Sequence, residues 1–317
     1  MIGGMIDVII PNYNGAEMLT VCLDALRRQT RTDFRATVVD DGSTDDSLRM
    51  LAADYPDVQV IALERNMGLV AAMNTAVRAT KAPYIVLLNN DTEPEPAWLE
   101  RLVGTLERYP AYDFAASKLR LWDRRDVIHS AGDGYLASGR PFNRGVWQHD
   151  RGQYDALAEV WGPCAGAAAY RRSALEALAV EGDVFDPDLF MYCEDVDLNL
   201  RARLAGIRTV FVPGAIVYHR LSATGGGTLA SYYCGRNFVT VWAKNMPAGL
   251  IPRYLGAFIV FQLGLAVDAL RHSRGAAARA RLRGQLAGLR GLPRAVAKRD
   301  PSRQTLSDAR FADMLGR

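Results

Sequence analysis

The sequence predicts an α/β protein built on a mostly parallel sheet, and three observations carry that prediction. Short apolar runs alternate with amphipathic stretches of helical length through roughly the first 110 residues, a rhythm that calls for right-handed crossovers between parallel strands. Polar clusters follow three of those runs, at the strand ends where ligands of such sheets bind. A chain of 317 residues, 49% hydrophobic and 23% charged, also has ample material for a core, which excludes a disordered or low-complexity protein.

Residues 6–11 (IDVIIP) read as a buried strand and Asn12-Tyr13-Asn14-Gly15 as a turn, after which Met18, Cys22, Leu23 and Leu26 share one face of a helix. Residues 35–40 form a second strand, and Thr44 or Asp45 is placed to cap a helix that runs to about Tyr55. Strand 58–63, helix 68–80 and strand 84–88 complete the alternating part. The polar clusters are Asn12 to Asn14, Asp40 with Asp41, and Asn89 to Asp91. Solvation of loops explains polar residues after any strand, but not unbroken acids and amides at three of them. Beyond residue 110 the alternation fades into short apolar segments and glycine-rich turns, ending in Trp161-Gly162-Pro163-Cys164-Ala165-Gly166. Residues 194–205 read as a helix whose acidic first turn, Glu194, Asp195 and Asp197, suits the helix dipole. Strand-like segments 208–212 and 215–218 lead to His219 and a flexible Thr224–Gly227 stretch, and 228–245 read as a helix.

The formal charge of +3 hides an asymmetry. Residues 271–299 carry nine Lys or Arg and no acid; without those nine, 29 of the 38 bases face 35 acids, a net of −6. A mildly acidic body with a basic arm excludes nucleic-acid binding by the whole surface and asks for a local partner of the arm. Cys22, Cys164, Cys193 and Cys234 form no CxxC pair or His/Cys cluster, so reduced thiols are expected, not a zinc site or a disulfide framework. The N-terminal MIGGMIDVIIP lacks the basic and long apolar regions of a secretory leader, and a cytoplasmic location is expected.

Seven strings occur in order across residues 6–220. They are VIIPNYNG (8–15), VVDDGSTDDS (38–47), ERNMGLVAAMN (64–74), YIVLLNNDTEPEPAWL (84–99), GPCAGAAAYRR (162–172), FMYCEDVDLNLRARLAG (190–206) and VPGAIVYH (212–219). Together they resemble the inverting family-two glycosyltransferases, whose GT-A fold is a Rossmann-like nucleotide-diphospho-sugar transferase fold. Within that family they resemble bacterial rhamnosyltransferases and galactofuranosyltransferases of cell-surface polysaccharide assembly. The resemblance implies a catalytic domain over residues 1–225 and a helical extension over 226–317.

An enzyme of this kind binds a nucleotide diphosphate, neutralises it as it leaves, and removes a proton from the acceptor hydroxyl. Pro11, Tyr13, Asn14 and Asp41 can build a base and ribose pocket, a carboxylate suiting the N3–H of uracil or thymine. The resemblance gives that part to Asp41, sets Tyr13 beside the base, and lays Asn66, Gly68 and Asn74 along the sugar diphosphate, where glycine permits close approach. From the residues alone, Asp40 also reads as a turn acid and Asn74 as a solvated residue at a helix start. Asn90-Asp91 stands where the family has its metal motif. Asp91 is the implied ligand of Mn²⁺ or Mg²⁺, and Asn90, on the donor side, replaces a position often acidic in relatives. His219 matches a histidine that is a further ligand in some relatives, and its imidazole suits Mn²⁺ better than Mg²⁺; a histidine after a strand also reads as a solvated turn residue. Asp195 is the implied catalytic base, required within hydrogen-bond reach of the acceptor hydroxyl. Glu194 is assigned to orienting hydroxyls, and Asp197 to capping or to pairing with Arg201 four residues on. Trp161 lines the acceptor side by resemblance, either stacking on a sugar or packing in the core.

The uncharged run YLGAFIVFQLGLAV at 254–267 is shorter than the ~20 residues of a bilayer span, which leaves a buried docking helix or an in-plane membrane helix. After it, Leu282, Leu286, Leu289 and Leu292 recur at helical spacing amid arginines. That pattern reads as attachment to an anionic membrane surface, or as a solvated face with homodimer contacts. The sequence thus reads as a metal-dependent glycosyltransferase, peripheral on the inner face of the cell membrane. It would move a sugar, rhamnose first, from a UDP- or dTDP-sugar to a glycan or polyprenyl-linked acceptor. A nucleotidyltransferase is the alternative enzyme, against which residues 12–19 hold one glycine and no Lys or Arg. A non-catalytic sugar-nucleotide-binding protein is the other alternative, against which both Asp91 and Asp195 are retained.

Overall fold

The computed structural model of the chain describes residues 6–220 and 227–316, and the glycine-rich stretch expected at 224–227 lies outside them up to residue 226. Contacts divide the chain into two units. One comprises Met1–Asp133, Asn143–Phe190 and Ile207–Thr224; the other comprises Gly134–Phe142, Met191–Gly206 and Gly225–Arg317.

The alternating part of the first unit forms β1 (Ile6–Asn12), α1 (Ala16–Arg27), β2 (Phe34–Asp40), α2 (Ser47–Asp54), β3 (Gln59–Ala62), α3 (Leu69–Ala79) and β4 (Tyr84–Leu88). β1 lies between β2 and β4 and parallel to both, and β3 extends the parallel run. The three polar clusters therefore sit side by side at one edge of the sheet. After β4 the chain makes β5 (Thr92–Pro94), α4 (Trp98–Arg108), β6 (Phe114–Leu121), β7 (Ile128–Ser130), β8 (Asp133–Tyr135), β9 (Pro141–Asn143), β10 (Ala158–Val160), β11 (Ala167–Arg171) and α5 (Arg172–Ala177). Then come α6 (Glu194–Leu204) and β12 (Thr209–His219).

The main sheet runs β10-β12-β6-β11-β4-β1-β2-β3, with β5 on β12 and β7 on β6, while β8 and β9 form a separate two-stranded sheet. Along that row β10 and β11 alone oppose the common direction, so the sheet is mostly parallel, as expected. Its core joins Leu19, Cys22, Leu23 and Leu26 of α1, Trp98, Leu99, Leu102, Val103 and Leu106 of α4, and Val8, Ile10, Val86 and Leu88 of the strands. Burying these side chains is the main stabilising term, at about 1.5–3 kcal/mol for each large one.

Three details differ from the sequence reading. The segment 208–218 is one strand, β12, whose register shifts between Val212 and Ile216 around Pro213-Gly214. The N-cap of α2 is Asp46, whose side chain makes no capping bond. Asp45 instead accepts the N–H of Ser47 (3.1 Å) and that of Ala16 (3.1 Å), serving the starts of two helices. Ala167–Arg171 is a central antiparallel strand, because its small side chains fit between β4 and β6 despite alanine's poor strand preference.

The second unit is helical: α6, α7 (Gly227–Asn245), α8 (Ile251–Arg271), α9 (Ala276–Arg290), α10 (Leu292–Ala297) and α11 (Asp308–Met314). α7 and α9 meet backbone to backbone. A Cβ on Gly284 would lie 2.1 Å from the carbonyl oxygen of Tyr232, and one on Gly288 2.7 Å from that of Arg236. α9 thus buries Ala280, Gly284, Gln285 and Gly288 and turns Leu286 and Leu289 outward. In α6, Asp197 pairs with Arg201 at 2.9 Å, as expected, and also receives Lys244 (2.6 Å) and Asn245 (2.8 Å) of α7 in a buried cluster.

Candidate active site

Backbone register brings the strand-end residues together. Asn90 Nδ2 donates to Asn12 Oδ1 (2.7 Å), and Asn12 Nδ2 donates to Asp40 Oδ2 (2.9 Å), so a relay of amides crosses the ends of β4, β1 and β2. Asp40 also accepts the Ser43 N–H at 2.8 Å, which makes it the turn acid of that loop. Asn14 accepts the Thr44 N–H (2.7 Å) and donates its own N–H to Ser43 Oγ (2.8 Å), bracing the two loops against each other. Pro11 lies half-buried behind them, while Tyr13 is exposed and free to meet a flat ligand.

Asp41 is buried, and its two oxygens accept the N–H groups of Met67 (2.7 Å) and Gly68 (2.9 Å). Burial pushes its carboxyl up, against the pull of those two N–H groups; Asp40's charge adds to the rise. Asn66 is exposed and its Oδ1 also accepts the Gly68 N–H. Gly68 has φ +91°, and a Cβ there would meet the Phe190 ring at 2.6 Å, so only glycine fits. Asn74 is no solvated residue. It clasps the Phe185 backbone, donating to the carbonyl at 2.8 Å and accepting the N–H at 3.0 Å.

Asp91 begins the turn into β5, and β5 pairs with the end of β12 so that Thr92 faces His219. That ladder places His219 Nε2 3.2 Å from Asp91 Oδ1, an oxygen that is buried and accepts no hydrogen bond. Two ligands cis to each other on an octahedral cation at ~2.1 Å are roughly 3 Å apart, so the pair has the spacing and the orphaned atom that a divalent ion would use. Behind His219 stands His129 of β7, with the two Nδ1 atoms 3.0 Å apart. Burial, then His219, pushes His129 down to about 3, so it is neutral at pH 7. His129 was not singled out from the sequence, since only the pairing of β7 with β6 brings it here. Trp161 follows β10 half-buried, and Gly166 abuts the His219 ring, a Cβ there lying 3.7 Å from Cε1.

The acidic residues of α6 belong to the second unit. The approach to this helix is strained: Phe190, Tyr192 and Cys193 all have positive φ, 65°, 62° and 64°, a conformation that costs such residues about 1–3 kcal/mol each. Asn237 of α7 offsets this by donating to the carbonyls of Met191 (2.9 Å) and Tyr192 (2.7 Å). Glu194 is buried with Oε2 unpartnered, and burial, followed by the charge of Asp195, pushes its carboxyl up to about 8. Asp195 is half-buried at the helix N-terminus and accepts the Val196 N–H at 2.8 Å.

Known proteins resemble the chain in sequence and in fold. The chain is 38% identical over 99 residues to the chondroitin synthase of Escherichia coli, covering 30% of this chain and 14% of that protein. It is 29% identical over 226 residues to an N-acetylglucosaminyltransferase of Sinorhizobium fredii, covering 67% and 51%. The chain spans about half or less of the curated relatives it matches. Two solved structures have the same fold. GalNAc-T7 with UDP, GalNAc and Mn²⁺ matches at a TM-score of 0.60 and 18% identity, over 76% of this chain and 48% of that one. S. aureus TarS matches at 0.54 and 17%, over 90% and 55%. The profile of glycosyl transferase family 2 matches residues 7–179, a stretch that begins in β1 and ends just past α5. Because that stretch exceeds half of the residues, the chain belongs to glycosyl transferase family 2.

Proposed function

We propose that this protein is an inverting glycosyltransferase that moves a sugar from a UDP- or dTDP-sugar to a hydroxyl of a glycan or polyprenyl-linked acceptor in cell-surface polysaccharide synthesis. The observation that carries the reading is the buried, unpartnered Asp91 Oδ1 facing His219 Nε2 at the ligand-binding edge of the sheet. The names of the relatives, makers of chondroitin and transferers of N-acetylglucosamine, support the substrate class.

Asp91 and His219 would hold Mn²⁺ or Mg²⁺, which when bound neutralises the departing diphosphate. Tyr13 packs on the pyrimidine, with Pro11 and Asn14 shaping the pocket wall and Asp41 holding the Met67–Gly68 loop and meeting the base. Asn66 and Gly68 border the sugar diphosphate, and Asn90 presents the amide relay to it. As the anomeric carbon–oxygen bond to the diphosphate breaks and the bond to the acceptor oxygen forms, Asp195 takes the acceptor's proton. Glu194, protonated at neutral pH, donates to a sugar hydroxyl, and Trp161 stacks on the acceptor. Residues 1–225 supply this chemistry and 226–317 form the helical extension. The four free cysteines fit a reducing, cytoplasmic compartment.

Rhamnose from dTDP and N-acetylglucosamine from UDP are the donors to separate first. Hydrolysis of UDP- and dTDP-sugars side by side, with and without Mn²⁺, is expected to show one donor turned over only when the cation is present; no turnover of any nucleotide sugar overturns the reading. His129→Leu should weaken Mn²⁺ binding in the presence of UDP by roughly 10–100-fold, the usual cost of losing a ligand's outer hydrogen bond. Electron paramagnetic resonance of free Mn²⁺ measures it, and unchanged affinity removes His129 from the site.

A further inference from the structure

One helix among the described residues is long and apolar enough to cross a membrane. It is Ala248–Arg271, with a mean hydropathy of 1.7 and 11% buried. Its surface is divided. Phe258 stacks on Trp242, ring centroids 4.2 Å apart and planes 13° apart, and Gln262 accepts two hydrogen bonds from Gln285 at 2.9 and 3.0 Å. The other face carries Leu255, Ile259, Val260, Leu263, Val267 and Leu270, each between 41% and 70% exposed. At 100° per residue these six fill an arc of roughly 140°, and Arg253 and Arg271 fall at its edge.

We propose that this face of α8 lies in the plane of an anionic lipid bilayer, with the arginines around it on the headgroups. A spanning orientation would strip Phe258 and Gln262 of their partners and draw Arg253 and Asp268 into or against hydrocarbon, whereas an in-plane helix keeps all of these contacts. Charge selects the occupant. Residues 251–299 hold ten Lys or Arg against the one acid Asp268, and Arg253, Arg271, Arg274, Arg279, Arg283, Arg290 and Arg294 are exposed. A second copy seated on the same face would oppose ten cations with ten. An acidic protein surface would answer the charge but leave six aliphatic side chains in poor company. An anionic bilayer satisfies both, since aliphatic residues enter the acyl boundary while arginines snorkel to phosphate.

The test is sedimentation of the full chain with vesicles of phosphatidylcholine, with and without phosphatidylglycerol. The wild type is expected to bind the anionic vesicles at least about tenfold more strongly than the neutral ones, and to lose that binding in high salt. Val260→Glu with Leu263→Glu, both at exposed positions, should abolish binding while thermal unfolding stays unchanged. Arg274→Gln with Arg279→Gln should weaken it on anionic vesicles only. Equal sedimentation of wild type and the Glu variant overturns the proposal. So does a dimer in light scattering that the Glu variant dissociates while no vesicle binding is seen, an outcome that assigns the face to a second copy.

Discussion

Asp195→Asn is expected to lower turnover by roughly 10²–10⁴-fold, the usual contribution of a positioned general base, with nucleotide affinity unchanged. Asparagine keeps the size of the side chain and removes the proton acceptor, so the chemistry is lost without disturbing α6. The neighbouring Glu194 makes the position informative. Pushed up to about 8 by burial and then by Asp195, it is neutral at pH 7 and adds no charge beside Asp195. The sign of the linkage follows. Its folded value lies above the ordinary 4.5, so the stability it contributes is complete below that value and is lost as pH rises through about 8. Above pH 8 a second charge appears beside the base. Glu194→Gln, which cannot ionise, should therefore keep a level stability between pH 4.5 and about 8, the range over which the wild type loses it. Single-turnover transfer with nucleotide titration checks the first result, and normal turnover by Asp195→Asn sinks the assignment.

Asp91→Asn should cost at least about 100-fold in metal-dependent donor affinity, because it removes the sole carboxylate of the Asn90-Asp91 motif. The same substitution should leave the metal-free protein at least as stable as the wild type, since it discharges a buried oxygen that accepts no hydrogen bond. Thermal unfolding separates the two effects: Mn²⁺ should raise the midpoint of the wild type and not that of the variant. Calorimetry showing equal donor affinity with and without Mn²⁺ in the wild type counts against the metal role.

The parts of the fold with strong periodicity were legible. β1 to β4 and their helices follow from alternating runs, and the three polar clusters fall on adjacent strands because β1 pairs with both β2 and β4. β11 was not legible, since alanines carry no strand signal until neighbours bury them. In the site, Asp91 and His219 were found as separate motif residues, but the 3.2 Å between them arises from the β5–β12 ladder. His129 and the Phe185 clasp of Asn74 depend on contacts distant in sequence, which no local pattern encodes. On α9 the leucines drew attention, whereas the packed face consists of alanine, glycine and glutamine.

That glycine seam between α7 and α9 limits how the extension can evolve. Gly284 and Gly288 stand where any side chain would collide with the opposing backbone, so the inner face of α9 is closed to drift. Its outer Leu286 and Leu289 are exposed and can be exchanged one at a time. Variation is thus channelled to the surface that meets the surroundings, and a descendant of this chain can change what it adheres to without renegotiating how its helices fit.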